Sequence, residues 1–428
     1  MLYGREGMNL SVPAESEILR GKHPPAMENP GKTIRAGLEQ PIGCAPLREL
    51  LRKKKPRTTA ITISDITRPV PNKTILPELL KVLNEEGIPD AAVVIVVGTG
   101  LHRPSTPEEK VELVGEQILK RIRVVDHLAA DKSTVVKVAD APPVFVNKIF
   151  VESDFRIVTG LIEPHFMAGY SGGRKGICPA LVDLDSVQRF HGHQVMADPH
   201  SANGILAGNP CHAESLRIAK TVGCDFLVNV AISSDRRVAG VYAGHMESAH
   251  AAGVRDVEQW TTALVEKTFD LVITSGGGYP LDKTFYQTGK GIVSAMEACN
   301  AHSTLLIVSQ CEEGIGSPSF TEMMSEWSGR WQQFLKHIAN TPVKHDQWQV
   351  QMMCRAMARV GGEQILLVSE LNPKDLRKTW VQSVERVGNA QDRAQQAIDA
   401  FLKNHPAARI AVVPEGPYTM LRRMGDTK

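Results

Sequence analysis

The sequence lacks cysteine pairs, an excess of either charge and any long apolar run, and each absence removes a class of protein. Seven cysteines are scattered over 428 residues with no CxxC spacing. A disulfide framework and a cysteine-rich zinc or iron-sulfur site are therefore excluded, and a reducing cytoplasm is the expected setting. Lys plus Arg number 49 against 47 Asp plus Glu, a formal net charge of +2. That balance gives no broad electrostatic attraction to nucleic acid or an anionic membrane, so a small molecule is the expected partner. No stretch approaches the roughly 18 apolar residues of a membrane span. The start, MLYGREGMNLSVPAESEI, lacks a basic segment followed by an apolar core, so a soluble cytoplasmic chain is expected. Short repeats and low-complexity tracts are absent, which argues against solenoids and propellers.

What is present is an alternation of apolar strands and amphipathic helices. TTAITISD from residue 58, AAVVIVVGTG, RIRVVDH and DFRIVTG read as strands. NKTILPELLKVLNEEGI and TPEEKVELVG read as helices, with Pro77 weakening the first turn of the former. The same grammar returns in LVITSGG, STLLIVS, QILLVSE and RIAVVPEG. The implied fold class is α/β, with two domains, each a mostly parallel sheet flanked by helices, and a site in the cleft between them. The division is expected near residue 265, giving an N-terminal cofactor-binding domain (1–265) and a C-terminal α/β domain (266–428). The first 50 residues read as an irregular lead-in with one or two edge strands, and Ala180 to Phe190 as a helix.

Parallel sheets bind ligands beyond the carboxyl ends of their strands, where the chemistry-bearing residues fall here. Asp65, Thr67 and Arg68 follow one strand; the guanidinium can clamp a carboxylate or phosphate, or simply form a surface ion pair. The next strand ends in GTGLHRP, which puts His102 on a tight loop where it can exchange protons near neutral pH or serve as ordinary polar surface. GLIEPHFMAGYSGGRKG, residues 160–176, combines His165, Arg174 and Lys175 with four glycines after Ala168. Such a bent backbone suits a phosphate or a tightly held cofactor, and Lys175, if desolvated, can act as a nucleophile. The stretch is neither a GxxxxGK[ST] loop nor GxGxxG, so ATP and ordinary dinucleotides are poorly supported. His191 and His193 form HxH, a weak metal signal with no completing zinc spacing, and can equally cap a helix. After a strand in the second half, Tyr286, Gln287 and Lys290 lie three or four residues apart on one helix and can share a face. A domain-crossing pocket would receive Arg68, His102 and His165 from one side and Gln287 with Lys290 from the other.

Five segments in this order, DITRP, GTGLHRP, EPHFMAGYSGGRKG, RFHG and YQTGK, resemble the lactate racemase family. The resemblance spans both domains and implies a nickel pincer nucleotide, pyridinium-3,5-bisthiocarboxylate mononucleotide, tethered to Lys175 as a thioamide. It implies His191 as the protein's nickel ligand, the other donors coming from the cofactor, which would explain the lack of an all-protein metal cluster. Asp65, Thr67 and Arg68 match residues that hold the nucleotide, and Gln287 and Lys290 match residues that approach cofactor and substrate, with Tyr286 beside them on the substrate side. His102 and His165 match a pair of acid-base residues. The implied reaction inverts a lactate-like 2-hydroxy acid by moving the C2 hydrogen as hydride and the hydroxyl hydrogen as a proton. Either Arg68 or Lys290 would hold the carboxylate; Phe166 and Tyr170 are candidates for the side-chain pocket. Cofactor-maturation proteins are implied as partners, and oligomeric state is left open. Two competing readings remain: an NAD-dependent hydroxy-acid oxidoreductase, disfavoured by the missing GxGxxG, and a non-catalytic nickel or nucleotide-binding module.

Overall fold

The computed structural model of the chain describes residues 1–424. Two six-stranded sheets organise it. In the first, the order is Val238–Gly244, Phe226–Ile232, Phe155–Leu161, Thr59–Ser64, Val93–Gly98, Arg123–Asp126. All neighbours are parallel except the antiparallel edge strand Val238–Gly244. In the second, Glu17–Ile18, Ile410–Val413, Phe269–Ser275, Cys299–Val308, Ile365–Val368 and Gln382–Ser383 run parallel throughout.

The strands form where apolar runs are continuous rather than alternating, because both faces of each sheet are covered. In Thr59–Ser64 every residue through Ile63 is buried. Ile61 and Ile63 pack under one layer of helices, while Ala60 joins the core on the other face. Each fully buried Ile, Leu or Val contributes about 1.5–3 kcal/mol. The helix Asn72–Glu85 buries Ile75, Leu76, Leu79, Leu80, Val82 and Leu83 and continues past Pro77. Burial of that stripe outweighs the single amide donor that proline lacks. Helix Pro107–Val114 starts where Thr106 and Glu109 cap each other's backbone.

The first 50 residues are more regular than the sequence suggests. They hold two short helices, Pro30–Glu39 and Leu47–Lys54, each burying an i,i+4 pair, Ile34 with Leu38 and Leu47 with Leu51. Their single strand, Glu17–Ile18, lies on the edge of the second sheet, not the first. The helix expected from Ala180 begins only at Leu184. Val182 bridges to Val146, and the Asp183 amide donates to Phe145 O, so extended pairing displaces the first turn. The strands Phe226–Ile232 and Val238–Gly244 had no counterpart in the sequence reading.

The chain passes between the sheets at two adjacent places. Leu19 N donates to Val412 O in the second sheet, and Met27 N to Val238 O in the first. The return follows helix Met246–Thr261, after which Thr262–Val265 pairs with Met420–Arg423. Gly21 lies so close to Trp260 that a Cβ there would sit 2.3 Å from its carbonyl oxygen, so only glycine passes. Among the described residues no helix is long and apolar enough to cross a membrane, and all seven cysteines are free.

Candidate active site in the interdomain cleft

The carboxyl ends of Thr59–Ser64, Val93–Gly98 and Phe155–Leu161 face the helix Phe285–Ala295 across a cavity of about 180 Å³, which adjoins a chamber of about 370 Å³ in the same cleft. Asp65, Thr67, Arg68, His102, His165, Lys175, His191, Tyr286, Gln287 and Lys290 all line the cavity. These ten residues, drawn from both domains, therefore meet at one place. Tyr170 does not: its hydroxyl points to Met420 Sδ at 3.7 Å in the core, whereas Phe166 does line the wall.

The two imidazoles are held in opposite senses. Asp65 Oδ2 accepts from His102 Nδ1 at 2.6 Å, leaving the His102 Nε2 lone pair free. Asp65 Oδ1 is taken by the Thr67 hydroxyl at 2.6 Å. Burial raises the Asp65 pKa, but His102, Thr67 and Arg68 together outweigh it and hold the carboxyl below its ordinary range. His165 sits on a tight hairpin in which it pairs with Gly169. Its Nδ1 accepts from the amides of Met167 at 3.4 Å and Ala168 at 3.2 Å, so the proton resides on Nε2. Burial first, then Lys175, Lys290 and Arg68, depress its pKa well below the usual histidine value.

The glycines beside Lys175 serve packing. The Gly173 amide donates to Asn229 Oδ1 at 2.7 Å, and a Cβ on that residue would meet the His250 ring at 2.7 Å. One on Gly176 would sit 2.4 Å from Val158 Cγ1. These close contacts hold the loop against the sheet, while Gly172 and Gly176 remain in the cavity wall. Arg174 is buried, donates to Ala168 O at 2.7 Å and is pushed down to about 9 by desolvation. Lys175 turns into the cavity. Burial, then Arg174 and Arg68, lower its amine to about 7, so an appreciable fraction is neutral and nucleophilic at neutral pH.

His191 ends the helix Leu184–Phe190. Its Nδ1 donates to Val187 O at 2.8 Å, which fixes the tautomer and leaves Nε2 as a lone-pair donor. Desolvation drops its pKa to about 3, keeping the ring neutral. Trp348 of the second domain stacks on it, with ring centroids 4.5 Å apart. Among the described residues no group of three or more His, Cys, Asp or Glu could hold a metal. A metal at His191 would need its other donors from a non-protein group, the donor set a pincer cofactor offers.

From the second domain, the Tyr286 hydroxyl accepts from Trp348 Nε1 at 3.2 Å, and burial with nearby Asp346 raises its pKa. Gln287 Oε1 is buried without a hydrogen-bond partner. No carboxylate among the described residues pairs with the Lys175 or Lys290 amine. Lys290 faces the Phe166 ring at 6.0 Å and is lowered by burial and by Arg68, against the pull of Glu163. Glu163 is half-buried, with Oε1 3.5 Å from Arg68 Nε, and desolvation raises its pKa. Arg68 is thus partly balanced by Glu163, whereas the Lys175 and Lys290 amines lack a hydrogen-bonded carboxylate and leave the cavity wall suited to an anion.

Glu163, Asp346, Trp348 and Gln349 were not recognised from sequence. Glu163 stands inside the EPH motif with no periodic signal of its own. Asp346, Trp348 and Gln349 begin the helix Gln347–Val360, and only tertiary packing brings them to the cavity.

Two α/β domains that close on a buried cationic cavity, with a nucleophilic amine and imidazoles in its wall, define an enzyme working at a domain interface. Comparison with known proteins identifies the family. Residues 3–204 match the lactate racemase N-terminal domain and residues 264–420 the lactate racemase C-terminal domain. The lactate racemase of Lactiplantibacillus plantarum is 32% identical over 392 residues, covering 90% of this chain and 89% of that protein. That of Thermoanaerobacterium thermosaccharolyticum is 30% identical over 430 residues, covering 98% of each. The solved lactate racemase apoprotein from T. thermosaccharolyticum superposes with a TM-score of 0.88 at 28% identity, covering 99% of both chains. A Thermotoga maritima protein shares the fold at a TM-score of 0.68 and 15% identity, over 95% of this chain and 100% of that one. The chain belongs to the lactate racemase family.

Proposed function

We propose that this chain is a racemase or epimerase that inverts C2 of a lactate-like 2-hydroxy acid, with a nickel pincer nucleotide tethered at Lys175 and nickel bound through His191. The observation that carries this reading is the convergence, in one cavity, of a desolvated amine lowered to about 7 with a neutral histidine whose Nε2 is unused. Installing the cofactor on a half-buried lysine calls for maturation proteins. We assign its attachment and the acid-base pair to residues 1–265, and the closing wall to residues 266–428.

When bound, the cofactor supplies a hydride acceptor, which no side chain here provides. The chain's own residues bind and move protons. Arg68 and Lys290 are placed to hold the substrate carboxylate, each charged hydrogen bond being worth about 1.5–3 kcal/mol in a dry site. His102 Nε2 takes the hydroxyl proton, with Asp65 stabilising the imidazolium through Nδ1. His165 Nε2–H hydrogen-bonds the substrate oxygen from the other side; for the opposite enantiomer it takes the hydroxyl proton at Nε2 once its own proton sits on Nδ1, which requires the Met167 and Ala168 amides to release that nitrogen. Tyr286 and Gln287 close the pocket over the substrate. Asp65 and Thr67 are also assigned to hold the nucleotide, although the Asp65 carboxylate already engages both Thr67 and His102.

The test is isotopic. Substrate deuterated at C2 and turned over once by the loaded enzyme in ordinary water should yield inverted product that keeps its deuterium, and His102→Ala or His165→Ala should cripple both directions. Product formed in heavy water with a full solvent deuteron at C2 would mean carbanion-type exchange and defeat the reading.

A further inference from the structure

One helix of the second domain grips the segment that carries the metal-ligating histidine. Gln347–Val360 packs on Phe285–Ala295 in its own domain, where Gln349 Nε2 donates to Tyr286 O at 2.5 Å. From the same helix, Trp348, Gln351 and Arg355 reach the first domain. Their spacing of three and four puts them on one face. Trp348 stacks on His191 with an interplanar angle of 27°. Gln351 Nε2 donates to His193 O at 3.0 Å. Arg355 donates to three carbonyls at once: Ser201 O through Nη1 at 2.7 Å, and Met196 O and Asp198 O through Nη2 at 2.7 and 2.6 Å. These carbonyls lie at and beyond the end of the short helix His193–Ala197, where oxygens lack intrahelical donors. Arg355 has no ion pair among the described residues, so these carbonyls are its compensation for burial.

The segment from His191 to Ser201 is thus fixed from both sides. Val187 O orients the ring from within the first domain, and the second domain adds a stacked indole, one amide bond and a guanidinium fork. We infer that Arg355 is a positioning residue: it clasps the 196–201 backbone to the second domain, so that closing the cleft sets the His191 ring for metal and opening it releases that ring. The inference rests on the reading of His191 as the nickel ligand. Parting of the clasp would also widen the way to Lys175 and His191 for loading.

The test uses the full-length protein without cofactor. Diethyl pyrocarbonate reacts with neutral imidazole nitrogen, and peptide mass spectrometry reads the rate at each histidine. His127, buried in the first domain away from the clasp, serves as the internal standard. Arg355→Ala should raise modification of His191 by about tenfold while His127 stays at its wild-type rate, as expected for a local rather than global opening. Gln351→Ala, which removes one bond, should raise it by about threefold and carries the test if the arginine variant does not fold. An unchanged His191 rate, or one that rises in parallel with His127, overturns the clasp. In cofactor-loaded protein, nickel should leave the Arg355→Ala variant about tenfold faster on dialysis. If His191 becomes reactive as stated but loaded wild-type protein holds no nickel at that histidine, the clasp stands and the ligand reading fails.

Discussion

Replacing Lys175 by methionine should stabilise the untethered protein, and by an amount that depends on pH in a defined way. The half-buried amine lacks a carboxylate partner and is lowered from 10.5 to about 7 by desolvation, Arg174 and Arg68. The unfolded chain therefore binds more protons than the folded one between about pH 7 and 10.5, and stability falls as pH drops through that window. At about 1.36 kcal/mol per unit, the penalty is roughly 2 kcal/mol near pH 9 and levels off at roughly 5 kcal/mol near pH 6. Methionine keeps the length of the stem and removes the charge. Urea unfolding of both proteins, with intact mass confirming that Lys175 is unmodified, should show a variant more stable at each pH, with the gap widening by about 3 kcal/mol from pH 9 to pH 6. A gap of constant size, or a variant less stable at pH 6, would refute a desolvated amine. The same desolvation makes Lys175 nucleophilic, so the assay probes fitness for covalent attachment without requiring the cofactor.

His191→Ala should abolish nickel retention in loaded protein, measured by elemental analysis after gel filtration, while His193→Ala should do less because His193 does not line the cavity. Equal metal content in the two variants would show the assignment to be wrong. Lys290→Ala or Gln287→Ala should leave the melting transition in place and lower 2-hydroxy-acid turnover. For Lys290, loss of one charged contact predicts about a 10- to 150-fold fall in kcat/KM; a Lys290 variant with wild-type kcat/KM would remove it from substrate binding.

Much of the fold is legible because parallel strands buried on both faces leave continuous apolar runs such as VVIVVG and IAVV. The ten cavity residues were legible for a related reason. Most of them sit shortly after strands or on the first turns of a helix, where chain order reports position in space; Lys175 on a glycine-flanked turn and His191 at a helix end were legible from their motifs instead. Residues without that coupling stayed hidden. Arg355 and Trp348 look in sequence like ordinary members of an amphipathic helix, and their work depends on a domain contact that no local pattern encodes. Glycines 173 and 176 were visible as a bent backbone suited to a phosphate or a tightly held cofactor, but their close packing on His250 and Val158 was not, because sequence does not show which neighbour a glycine admits. Tyr170 was drawn toward the site by adjacency, yet alternation along the hairpin turns it into the core. The first 50 residues were misread because scattered glycine and proline masked two helices of barely two or three turns.

The strand Glu17–Ile18 makes the second sheet depend on a segment far away in sequence: its partner is Ile410–Val413. The segment then leaves that sheet through the passage where Gly21 lies against Trp260. A single proteolytic cut after Val265 would leave the amino-terminal fragment still plugged into the opposite sheet, so the halves should co-purify after nicking. Expressed separately, the carboxyl-terminal half would present the bare edge of Ile410–Val413 to solvent and offer it to any extended peptide in reach.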